Sequence, residues 1–96
     1  MIVSFGDRRT EDLYHGRISS RVRRFAAELR EVALFKLDVL NAATSISDLR
    51  SPPSNRLEKL RGDLRGHHSI RVNDQWRLIF KWTAGEASDV RLIDYH

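Results

Sequence analysis

The spacing of apolar residues changes once along this chain, and the change falls at a proline pair. In residues 19–43, SSRVRRFAAELREVALFKLDVLNAA, the apolar positions Val22, Phe25, Ala26, Leu29, Val32, Ala33, Leu37 and Leu40 recur every three or four. That recurrence lines one face of a helix. Ser19 or Ser20 is placed to cap its start, and Arg23, Arg24, Arg30 and Lys36 keep its other side wet. The stretch TSISDLRSPPSN follows. ISDLR suits one helical turn, and Pro52-Pro53 then forbid any continuation of helix. From Leu57 onward the apolar period is two, the period of strands. A lone helix is marginal in water and has to dock on another surface. Helix first and strands after it therefore predict an α+β domain of two layers, helices packed on a small antiparallel sheet.

The remaining elements follow from shorter signals. MIVSF is β-branched and apolar, so residues 1–5 are expected to form a strand. Thr10, followed by Glu11 and Asp12, predicts a short helix over 10–15 with Thr10 as its cap. NRLEKLRGD alternates only roughly and gives a weak strand signal. HHSIRV and QWRLIFKW read as a hairpin around Asn73-Asp74; TAGEA is a second turn, and SDVRLIDYH a last strand. With 96 residues, a single domain spanning 1–96 is expected. Cysteine is absent, which removes disulfides and thiolate metal sites and suits the reducing cytoplasm. No apolar run approaches the ~20 residues of a membrane span, and the opening MIVSFGDRRTED lacks the basic and apolar regions of a signal peptide.

The charge is unevenly placed. The chain carries a net +4, and the segment 55–82 alone holds seven Lys/Arg (Arg56, Lys59, Arg61, Arg65, Arg71, Arg77, Lys81) against Glu58, Asp63 and Asp74. Aromatic and imidazole side chains lie among these charges, a pattern that suits single-stranded RNA. The same pattern arises if Trp76, Phe80 and Trp82 alternate into the core while the charges face water. Arg71 and Arg77 flank the Asn73-Asp74 turn at near-matching positions, so paired strands would bring two guanidiniums to one face. There they could stabilise a phosphorane, or simply pair with Asp74 or Glu86. His67 and His68 are adjacent in a strand and should face opposite sides, which is poor geometry for a shared metal ion. The closing residues Asp94, Tyr95 and His96 form the densest group of proton-handling side chains. In an extended chain Asp94 and His96 share one side and Tyr95 takes the other. His96, oriented by Asp94, is the natural acid–base candidate near neutral pH. RNA cleavage by its own 2′-hydroxyl needs only a base, an acid and cations around the phosphate.

PPSNRLEKLRGD, SIRVNDQWRLIF and the closing DYH together resemble the HigB branch of the RelE/ParE toxins of type II toxin–antitoxin modules. The resemblance runs over nearly the whole chain. It implies a compact microbial RNase-like (RelE-like) fold and a metal-independent mRNA endonuclease that cuts codons in the aminoacyl site of translating ribosomes. It also implies a tight cognate helix-turn-helix (HigA-like) antitoxin, with operator DNA bound only through the antitoxin complex, and no cofactor. By matching motifs, Asp94 and His96 take acid–base and orienting roles, Tyr95 positions a base, and Arg71 and Arg77 bind the scissile phosphate. Arg61 stands where relatives carry the lysine of LKGD. Arginine cannot accept a proton near pH 7, so only charge stabilisation remains there. Glu58 lies three positions earlier, where some relatives have histidine. Arg56, Lys59, Arg65 and Lys81 are the expected contacts to RNA or ribosome. The rival function on the same fold is that of the ParE branch, inhibition of DNA gyrase without catalysis.

Overall fold

The computed structural model describes residues 1–95. Three helices come first: α1 (Arg8–Tyr14), α2 (Ser20–Arg23) and α3 (Ala27–Ala42). Two 3₁₀ turns, Ile46–Arg50 and Pro53–Asn55, lead into four strands: β1 (Glu58–Lys59), β2 (His67–Arg71), β3 (Trp76–Thr83) and β4 (Glu86–Asp94). The strands pair antiparallel in the order β1-β2-β3-β4. The expected α+β layering, with helices on a small antiparallel sheet, is therefore the observed one.

One sheet face is covered by helix. Leu29, Ala33, Leu37 and Leu40 of α3 meet Ile70, Leu78, Phe80, Val90 and Leu92 of the sheet in one buried cluster. Phe80 is fully buried, and Trp76 and Trp82 pack partly buried against the cluster. These aromatics therefore serve the core. Alternation sends their neighbours Arg77 and Ile79 to the opposite, outer face.

Four local expectations are corrected. The helix over 19–43 is broken: α2 ends at Arg23, and α3 begins after Ala26, whose extended backbone (ψ 146°) has no side-chain cap. The break turns Phe25 inward, edge-on to Trp76 at 5.5 Å and under the Arg9 guanidinium at 5.1 Å. That packing outweighs the continuous helical spacing. Lys36 is not on a wet face; it is buried and donates to the Asn55 Oδ1. Val32, by contrast, is 40% exposed. Thr10 does not cap α1. Asp7 does, accepting from the Thr10 N–H at 2.8 Å. Thr10 is fully buried, and its hydroxyl accepts from the Leu92 N–H at 2.9 Å, tying α1 to β4. Finally, residues 1–5 form no continuous strand. Ile2 and Phe5 each make an isolated parallel bridge to β4, at Ala87 and Val90. Between those two positions Asp89 adopts a left-handed φ of 52° and gives its N–H to the Ser4 hydroxyl, which interrupts the ladder.

Candidate active site

The β2–β3 hairpin builds the centre of the site. Asn73 closes its turn: the side-chain oxygen accepts from the N–H groups of Gln75 (2.9 Å) and Trp76 (2.8 Å). The turn fixes the register, and Arg71 and Arg77 become direct cross-strand partners on the outer face. The chain after β4 joins them there. The Tyr95 N–H donates to the Gln75 carbonyl at 2.7 Å, and the Tyr95 ring lies 5.3 Å from the Arg77 guanidinium carbon.

Arg77 is held from several sides. Its side chain is 10% exposed. One terminal nitrogen donates to the Arg56 carbonyl at 2.6 Å and the other to Glu58 at 3.3 Å. Its Nε is buried and has no hydrogen-bond partner among the described residues. A buried N–H with no acceptor is costly. Arg71 is bound to Asp74 across the turn. Arg56, Arg71, Asn73, Asp74, Arg77 and Tyr95 surround a pocket of about 200 Å³. Three arginines line it against one lining carboxylate, Asp74, with Glu58 engaging Arg77 from beside it, so the balance is cationic and favours a phosphate.

The position of Arg56 depends on a buried anchor. Asn55, fully buried, donates to the carbonyl of Leu49 at 3.2 Å while Lys36 donates to its side-chain oxygen. The next residue, Arg56, turns left-handed with φ 46° and so presents its carbonyl to Arg77. Burial lowers the Lys36 pKa from its ordinary value.

The expected site residues do not all meet. Arg71, Arg77, Tyr95 and Arg56 line one pocket. Asp94 lies opposite Trp76, on the other side of the sheet from Tyr95, with Gln75 donating to it at 2.9 Å. His96 lies outside the described residues. Arg61 is exposed at the start of the 3₁₀ turn Gly62–Leu64 and lines none of the described pockets that hold the arginine pair or Lys59. Lys59 and Arg65 open onto other clefts. Lys81 sits farther along β3, 3.4 Å from Asp89. His67 and His68 alternate as expected: the His67 ring contacts the Leu64 carbonyl at 3.2 Å, and His68 stacks on Phe80 at 6.0 Å. Burial, then the charges of Lys59 and His67, lower the His68 pKa. Among the described residues no three His, Asp or Glu side chains gather as a metal set. The sequence reading missed the pairing of Glu58 with Arg77; the Asn73-Asp74 turn it did expect is the one observed.

Residues 3–96 match the model of a family described as HigB-like toxin, the RelE-like toxin of type II toxin–antitoxin system HigB. The chain belongs to this family. A relative named Toxin HigB-1 from Vibrio cholerae is 42% identical over 92 residues, covering 96% of this chain and 95% of its own. Another, named Endoribonuclease HigB, from Proteus vulgaris, is 34% identical over 61 residues, or 64% of this chain and 65% of its own. Among solved structures, a YafQ variant from E. coli superposes with a TM-score of 0.65 at 18% identity, covering 98% of this chain and 91% of that one. The YoeB–YefM complex from Staphylococcus aureus gives 0.61 at 14% identity, covering 100% and 98%. These two likenesses establish the RelE-like fold. HigB-family membership makes the chain the toxin half of a type II pair, with an antitoxin as its partner. No helix among the described residues is long and apolar enough to cross a membrane.

Proposed function

We propose that this HigB-family toxin is a metal-independent endoribonuclease that cuts mRNA in the aminoacyl site of the ribosome. The observation that carries the reading is the cross-strand Arg71–Arg77 pair, with the Arg77 Nε, unpartnered among the described residues, beside Tyr95. The endoribonuclease name of the Proteus vulgaris relative supports it as well. In this reading the scissile phosphate sits against Arg77 and Arg71. A base takes the 2′-hydroxyl proton, the 2′ oxygen attacks phosphorus, and the 5′ oxygen leaves with a proton from an acid. The products are a 2′,3′-cyclic phosphate and a free 5′-hydroxyl. Both guanidiniums stabilise the extra negative charge of the phosphorane. Removing one such preorganised donor costs on the order of 10²–10³ in rate.

Proton transfer falls to His96 and to Glu58, whose carboxylate already stands at Arg77. Asp94, on the other face, orients the chain end through Gln75. Tyr95 packs on Arg77 and offers a ring for a base to stack on. Exposed Arg61 adds charge on the approach to the site, and Arg56, Lys59, Arg65 and Lys81 spread the RNA and ribosome contacts over a wider surface. The cognate antitoxin is HigA-like, with a helix-turn-helix domain that takes the pair to operator DNA. The pair acts in the cytoplasm. The test is end chemistry in a purified translation system containing EDTA-treated toxin. Cyclic-phosphate 3′ ends and 5′-hydroxyl ends on cut mRNA would support the reading. 5′-phosphate ends, or inhibition of gyrase supercoiling with intact mRNA, would refute it.

A further inference from the structure

A second cleft, of about 480 Å³, shares Arg56 with the arginine pocket. It is large enough for a small ligand, such sites being about 300–1,000 Å³. Its walls are of two kinds. Ile46, Pro53 and Leu57 supply apolar surface, with Ile46 and Leu57 backed by the core. Arg50 and Lys59 stand exposed at it, and among the described residues neither Arg50 nor Lys59 has a carboxylate partner. The acid in the lining is Glu58, and that carboxylate is engaged by Arg77. His68 completes the wall. Its ring lies near-parallel to Phe80, tilted by 19° with 6.0 Å between centroids, and its Nδ1 is buried with no hydrogen-bond partner among the described residues. With its pKa lowered by burial and by Lys59 and His67, the ring is neutral at pH 7 and presents a stacking surface, not another cation.

Apolar walls with a neutral ring suit a nucleobase, and two unpaired cations suit a phosphate. The cleft meets the arginine pocket at Arg56, and Glu58 in its own wall engages Arg77, so one RNA strand can run from one to the other. We infer that this cleft seats the nucleotide next to the scissile phosphate, its base against Leu57, Pro53 and His68 and its outer phosphate on Arg50 and Lys59. The inference rests on the ribonuclease reading and adds a second subsite to it. The occupant is the same RNA strand. An antitoxin segment lying there instead would leave RNA binding confined to the arginine pocket.

The experiment is an NMR titration of the full chain with a 2′-O-methylated triadenylate, which cannot be cleaved. Two analogues, abasic at the first or at the third position, complete the set. The expected result is that the intact trinucleotide shifts His68 and Leu57 together with Arg77 and Tyr95. One abasic analogue then loses the His68 and Leu57 shifts and keeps the other two. Arg50→Ala, at an exposed position, weakens binding about tenfold, the loss of one charge-assisted phosphate contact. Shifts at Arg77 and Tyr95 without shifts at His68 and Leu57 would overturn the subsite and leave the ribonuclease reading standing. Retention of the His68 shifts with both abasic analogues would do the same. No shift at either place, or shifts at His68 alone, would overturn the subsite, and the ribonuclease reading would stand or fall on the cut ends made on ribosomes.

Discussion

Asn55→Ala tests the anchor on which the site is built. Asn55 is fully buried. Its side-chain oxygen accepts from the Lys36 ammonium, and its amide donates to the Leu49 carbonyl at 3.2 Å. A further contact to the Ser51 carbonyl, at 3.4 Å, is too long to count for much. A hydrogen bond to a charged group is worth about 1.5–3 kcal/mol and a neutral one about 1 kcal/mol. Truncation also leaves the Lys36 ammonium buried with no acceptor. The expected loss is about 3 kcal/mol, against a total of ~5–10 kcal/mol for a domain of this size. At about 4–8 °C per kcal/mol, the melting temperature should fall by about 12–24 °C. Lys36→Met keeps the stem and removes the costly buried charge but leaves one neutral acceptor, the Asn55 Oδ1, unpaired; it should lose about 1–2 kcal/mol, less than Asn55→Ala. Urea unfolding followed by far-UV circular dichroism measures both. A loss below about 1 kcal/mol for Asn55→Ala at unchanged m-value, or a Lys36→Met loss as large as that of Asn55→Ala, would refute the reasoning.

Other expectations follow from the same structure. Arg77→Lys should lower cleavage by about 10²–10³ while the protein stays folded, because a single ammonium cannot hold both the Arg56 carbonyl and Glu58 and still meet a phosphate; single-turnover cleavage rates check it. Thr10→Val should cost about 1–3 kcal/mol in denaturant unfolding, since it strands the Leu92 N–H in the core. Folding holds the His68 pKa below its unfolded value of about 6.5, so the unfolded chain binds the proton more tightly. The stability linked to this group is full above about pH 6.5 and is lost as pH falls toward the folded value. His68→Gln should therefore flatten part of the stability loss between pH 7 and 5, and identical slopes for the two proteins would contradict that assignment.

The hairpin was legible because its signals are local. Asn73 closes the turn through its own side chain, and once the turn is fixed Arg71 must oppose Arg77. Alternation likewise foretold that Tyr95 and Asp94 would part, but only the sheet reveals that Tyr95 is on the arginine side. The break before α3 was hidden: the apolar spacing runs unbroken through Phe25, and the cause lies in Trp76, far along the chain. The Lys36–Asn55 bond and the Glu58–Arg77 pair each join residues 19 apart across different elements. No periodicity carries that kind of information. A lysine at a polar helical position reads as solvated until the loop that covers it is known.

The most direct test of the central claim is primer extension on a defined mRNA, with and without translating ribosomes. The chains to compare are the wild type, Arg77→Ala and a chain lacking His96. The account predicts cuts at aminoacyl-site codons that need ribosomes, that fall steeply in Arg77→Ala, and that are lost with His96. Full cleavage by Arg77→Ala would contradict it, because the buried guanidinium beside Tyr95 would then have no part in the reaction.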